Sequence, residues 1–146
     1  MAGGGSTVTA QVTHAVTIED LAMAKSVTPT TFDGGEIATY TLVLRSGEYR
    51  QIAGMAITDV LPNGVCPLSA TQNFVTGAPA DCAPDAGFAP TNATIDSVTQ
   101  RPDGTFSMVL IPSSDLAANG TLTITYQGRM RTTYTGTGPA GGPDLI

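Results

Sequence analysis

Lys25, the only lysine of 146 residues, and Asp59 are the two side chains whose setting could do chemistry. Lys25 lies in "LAMAKSVTPTT", where strand alternation puts Leu21, Met23, Lys25 and Val27 on one face and Ala22, Ala24 and Ser26 on the other. Asp59 lies in "GMAITDVLP", where Met55, Ile57, Asp59 and Leu61 share a face opposite Ala56, Thr58 and Val60. Both charges thus fall among large apolar neighbours. Taking an amine and a carboxyl group out of water disfavours their charged forms, which leaves a neutral nucleophile beside a protonated acid. The same placement suits a plain buried ion pair, or a lysine whose stem lies on apolar surface with its head in water. On sequence alone both readings stand.

Two other residue types carry chemistry. Cys66 and Cys82 enclose "PLSATQNFVTGAPAD", a Pro/Gly/Asn-rich stretch suited to closure by a disulfide and lacking CxxC or Cys/His spacing for zinc. A bridge there favours an exported protein, and two unrelated free thiols are the plainer alternative. His14 is the only histidine, so with loop cysteines it makes no metal set, and no metal or other cofactor is expected. No Ser, His and acid stand at a recognisable catalytic spacing, so an enzyme acting on an outside substrate is not expected.

The elements that must position these residues read as strands. "TVTAQVTHAVTI" alternates from Thr7 to Ile18, with Val8, Ala10, Val12, His14, Val16 and Ile18 facing one way. "IEDLA" is a short acidic joint, and the lysine strand follows until "TPTTFDGGE" forbids its continuation. "EIATYTLVLRS" has apolar residues on both faces and is expected to be central. From Pro62 to Pro90 the chain reads as a loop stapled by the cysteines. "ATIDSVTQ", "RPDG" and "TFSMVLIP" make a hairpin, and "SSDLAANG" a turn or single helical turn. "TLTITYQGRMR" is the last clear strand, with Leu122, Ile124, Tyr126 and Met130 on one side.

Composition agrees. Charged residues are 12% of the chain, with 17 Gly, 10 Pro and no Trp, which is an all-β and not a helical vocabulary. The expected fold is one all-β domain, an immunoglobulin-like antiparallel β-sandwich of about seven strands. A formal charge of −6 with scattered arginines argues against a nucleic acid or an anionic membrane as partner. No run approaches the length needed to span a bilayer, so no membrane insertion is expected. "MAGGGST" has neither the basic start nor the apolar run of a signal peptide; residues 1–6 read as an added start or linker, any export signal having been removed.

"AMAKSVTPTTFDGGEIATYTLVLRSGEYRQIAGMAITDVLPNGV" resembles the opening half of the Ig-like conserved repeats of bacterial surface proteins, the family that includes isopeptide-forming fimbrial and adhesin modules. The motifs that carry the resemblance are "KSVTP", "DGGEIATYTLVL" and "MAITDVLPNG", and "GTLTITYQGRMRTTYTG" is similar to the penultimate strand. The likeness covers roughly 21–138, with 19–138 as the sandwich domain and 139–146 as a flexible tail. It implies a scaffold segment of an extracellular, cell-surface stalk or fimbrial protein, not turnover.

In isopeptide-forming members a last strand carries an asparagine that joins the lysine, and this chain is expected to end at Ile146 before such a strand. The lysine amine would attack the asparagine side-chain carbonyl, the acid moving protons, so that a C–N bond forms and ammonia leaves. Lys25 and Asp59 are the candidate pair for that single-turnover crosslink. Asn63, Asn73, Asn92 and Asn119 all read as loop or turn residues. Residues 7–18 look like the closing strand of a preceding repeat.

Three functions are therefore weighed. The first is a structural, non-catalytic module stabilised by the disulfide, with neighbouring repeats as partners. The second is a self-assembling filament subunit, in which the 7–18 strand of one copy completes the sandwich of the next by strand addition. The third is an adhesive domain using the Cys-closed loop, whose only aromatic is Phe74, on an unspecified ligand.

Overall fold

The computed structural model describes residues 21–134 other than 49, 76 and 78, together with 144 and 145. The expected linker at 1–6, the 7–18 strand and most of the 139–146 tail lie outside the described residues.

Among the described residues, seven strands form two antiparallel sheets. β1 (Leu21–Thr28), β2 (Ile37–Ser46), β7 (Thr121–Met130) and β4 (Val65–Pro67) make a four-stranded sheet in the order β1-β2-β7-β4. β3 (Ile57–Leu61), β6 (Phe106–Pro112) and β5 (Ala93–Gln100) make a three-stranded sheet in the order β3-β6-β5. The sequence expectation of an all-β sandwich of about seven strands holds, and four strands against three is the division of the smaller immunoglobulin-like sandwiches. A two-residue ladder joins β8 (Thr133–Tyr134) to β9 (Asp144–Leu145). Among the described residues no helix is long and apolar enough to cross a membrane.

Alternation decides which side chains make the core. In β2, Ala38, Tyr40, Leu42 and Leu44 are buried, and in β7 so are Leu122, Ile124 and Tyr126, in a register that sets Tyr40 beside Tyr126 and Leu42 beside Ile124. Phe106, Met108 and Leu110 of β6 close the core from the other sheet. β2 is central, between β1 and β7, as its two apolar faces suggested. The β5–β6 hairpin turns through Gly104 at φ 83°, a left-handed conformation that glycine adopts without strain. "SSDLAANG" makes a turn rather than a helix: Gly120 N–H donates to the Ala117 carbonyl.

The structure corrects two expectations. The 62–90 stretch is not all loop: it holds β4 and two short 3-10 turns, Ala80–Cys82 and Ala86–Phe88. Three residues are too few to show a period, and Pro67 is tolerated because β4, paired among the described residues only with β7, is an edge strand. The lysine strand is also not buried on its apolar face. Leu21 is 46% and Met23 56% exposed, on the edge strand of the larger sheet.

Candidate functional site

β1 and β3 run side by side in the same direction across the sandwich: Leu21 and Met23 border Met55–Thr58, Lys25 meets Asp59, and Val27 borders Pro62–Val65. The lysine stem crosses from one sheet to the other, and its Nζ donates to Asp59 Oδ1 at 2.8 Å and Oδ2 at 2.7 Å. The Lys25 side chain keeps a third of its surface, whereas that of Asp59 is 13% exposed. This is the ion-pair alternative of the sequence reading, with the lysine head still reached by water.

Two tyrosines that sequence reasoning did not single out complete the cluster. The buried Tyr126 hydroxyl donates to Asp59 Oδ2, and the Tyr40 ring stacks on that of Tyr126 with centroids 5.1 Å apart and planes 10° from parallel. Lys25 Nζ lies 4.9 Å from the Tyr40 ring centroid, within cation–π range. Burial pushes the Tyr40 hydroxyl up to about 12, with a further rise from the Asp59 charge. Burial, the hydrogen bond to Asp59 and the charges of Asp59 and Tyr40 push Tyr126 up as well. The signal lay in "YTLVL" and "TITYQ", both of which put a tyrosine on the inward face, but only the pairing of Tyr40 with Tyr126 brings them together over Asp59.

Two apolar hollows lie along β1 on either side of the Lys25–Asp59 pair, one against the start of β3 and the other against residues 62–65 that follow β3. One, of about 580 Å³, is lined by Val27, Phe32, Tyr40, Val65 and Met130 among others. The second, of about 300 Å³, is lined by Leu21, Met23, Leu44, Met55 and Ile57 among others. Among the described residues no strand pairs with the outer edge of β1 or of β3.

The asparagines stay in loops and turns. Asn73 Nδ2 donates to the Pro79 carbonyl and Asn92 Nδ2 to that of Thr123, and Asn92 and Asn119 sit at φ 60° and 53°. Cys66 and Cys82 lie at bonding distance, as the disulfide expected from the sequence, with Cα atoms 5.6 Å apart. Cys66, Asp81 and Cys82 bring ligand-type atoms within 4.8 Å of one another, but the sulfurs are joined and the Asp81 carboxylate is ion-paired with Arg131 at 3.5 Å. The bridged segment folds back on the core: Leu68 and Val75 are buried, Phe74 is half-buried, and Leu68 N–H donates to the Gln127 carbonyl. The strand-addition candidates Val8, Ala10, Val12, His14, Val16 and Ile18 lie outside the described residues.

The fold thus defines an antiparallel β-sandwich with one cross-sheet polar cluster and one disulfide. Comparison with protein-family models, with curated proteins and with solved structures finds no match to this chain.

Proposed function

We propose that the protein is a structural, non-catalytic module of an extracellular cell-surface or stalk protein, a sandwich that transmits tension between its neighbours. The observation that carries this reading is the pair of cross-ties. Cys66–Cys82 fastens the 3-10 turn at Ala80–Cys82 to the edge strand β4, and Lys25–Asp59 fastens the edge strand β1 to the opposite sheet. Both ties sit where a pulled sandwich would first peel, at its edges. The cluster's polar groups are spent on one another, since Asp59 accepts from both Lys25 and Tyr126. A disulfide is also the chemistry of an oxidising compartment.

Single-molecule pulling on tandem copies tests the reading. Each module is expected to give one discrete rupture. At about 3.5 Å per extended residue, freeing the 16-residue separation between the cysteines adds about 50 Å of extension when a reductant is present. Extension without a rupture peak, as from a flexible linker, would overturn the tension-carrying role.

A further inference from the structure

The groove that follows β1, past β3 and on to residues 62–65, has a sequence of its own. Along it run an apolar hollow beside Leu21 and Met23, then the polar bar of Lys25 and Asp59, then an apolar hollow beside Val27 and Phe32. The inward side chains of β1 therefore face the place in the three-stranded sheet that a strand added to β3 would fill. One stretch of this chain carries the complementary pattern. In residues 7–18 the alternating face reads Val8, Ala10, Val12, then His14, then Val16 and Ile18: apolar, one polar group, apolar, at the strand repeat.

We infer that the groove takes the 7–18 segment of a second copy of this chain as an added strand on β3, with His14 level with the Asp59 carboxylate and the valines covering Met23 and Val27. Pairing with β3 satisfies a row of backbone groups that no strand among the described residues pairs with, and the occupant's apolar face covers the exposed surface of Leu21 and Met23. The groups that would face His14 are Asp59, Lys25, Tyr40 and Tyr126.

A second copy is favoured over the same chain by the length of the joint. Ile18 and Leu21 are separated only by Glu19 and Asp20, so the connection reaches about 11 Å at full stretch. Packed sheets are about 10 Å apart, so the crossing takes nearly all of that reach and leaves little for the chain to reverse direction. Neither Glu19 nor Asp20 is a glycine that would ease so tight a reversal. A head-to-tail contact of this kind does not close on itself, so the product grows by addition.

The test uses the full chain and two variants in analytical ultracentrifugation over a wide concentration range. The wild type is expected to self-associate. The donor variant Val12→Asp/Val16→Asp and the groove variant Met23→Asp, altered at a residue 56% exposed, are each expected to be monomeric. The donor variant keeps an intact groove and is expected to bind a labelled peptide of residues 6–19, which the groove variant does not bind. A peptide carrying His14→Asp, which sets a second carboxylate against Asp59, is expected to lose that binding. Monomeric wild type at every concentration, association unchanged by either variant, or equal peptide binding by both variants would each overturn the inference.

Discussion

Replacing Asp59 by alanine should destabilise the sandwich far more than removing the lysine it pairs with. The carboxylate accepts from two donors in different surroundings: the Tyr126 hydroxyl, on a residue only 2% exposed, and Lys25 Nζ, on a side chain 33% exposed. In Asp59→Ala the tyrosine hydroxyl keeps its burial and loses its acceptor, a loss of about 1–3 kcal/mol. The partly hydrated lysine contributes at most about 1 kcal/mol. The sum is about 1–4 kcal/mol. Tyr126→Phe removes the donor with little change of shape and leaves Asp59 its lysine, so about 1 kcal/mol is expected. Once Tyr126 is phenylalanine, Asp59→Ala no longer strands a hydroxyl, and the double variant should fall short of additivity by about 1–2 kcal/mol. Urea unfolding of the four proteins under non-reducing conditions measures the cycle. Additive single effects, or Lys25→Met costing as much as Asp59→Ala, would refute the assignment of Tyr126 as the dominant partner.

Replacing both cysteines by serine should lower stability by about 3 kcal/mol in the chain-entropy view for a separation of 16 residues, read as a fall in the urea midpoint that reductant reproduces in the wild type. Intact mass under denaturing, non-reducing conditions should fall two hydrogens short of the sequence mass with no ammonia lost; a missing ammonia would show Lys25 crosslinked rather than ion-paired. Gly128→Val should cost about 1–3 kcal/mol by overpacking, because a Cβ there would lie 2.7 Å from Val65 Cγ1 and 3.2 Å from the Cys66 carbonyl oxygen; an unchanged melting temperature would show that β4 can back away from β7. Stability should fall above pH 10. The Tyr40 hydroxyl, raised by burial to about 12, stays protonated in the fold while the unfolded chain ionises near 10.0, so its contribution is complete below pH 10 and is lost as pH climbs toward 12. Tyrosinate absorbance and unfolding followed together over that range check it, and ionisation of every tyrosine near pH 10 in the folded protein would contradict it.

The sequence was most legible where one face of a strand is buried against the core. β7 was read with Leu122, Ile124 and Tyr126 on one side, the side that is buried, and β2 was read as a central strand with two apolar faces, of which the one carrying Tyr40, Leu42 and Leu44 is buried. Lys25 and Asp59 were found by the same rule, as charges in apolar registers. That rule reports which side chains share a face, but not whether another layer covers it, so the exposure of Leu21 and Met23 was invisible. β4 escaped because three residues show no periodicity and proline argues against a strand. The tyrosines escaped because their role arises only from a pairing between residues far apart in the chain, Tyr40 with Tyr126, and from the crossing of Asp59 above them.

The far edges of the two sheets are guarded by backbone devices, and the near ones, among the described residues, only by the inward charges of Lys25 and Asp59. β5 carries a bulge between Ile95 and Ser97 that puts Asp96 out of the ladder, and β4 ends at a proline under a disulfide-tethered turn. Both devices spoil a neighbour's attempt to add hydrogen bonds. β1 and β3 carry no bulge, and the proline that follows β1 comes only after eight regular residues. At high concentration the protein should therefore be sticky on one flank alone. Solubility engineering aimed at that flank, such as a lysine in place of Val60 on β3, which is 41% exposed, should succeed where charge added beside β5 changes little.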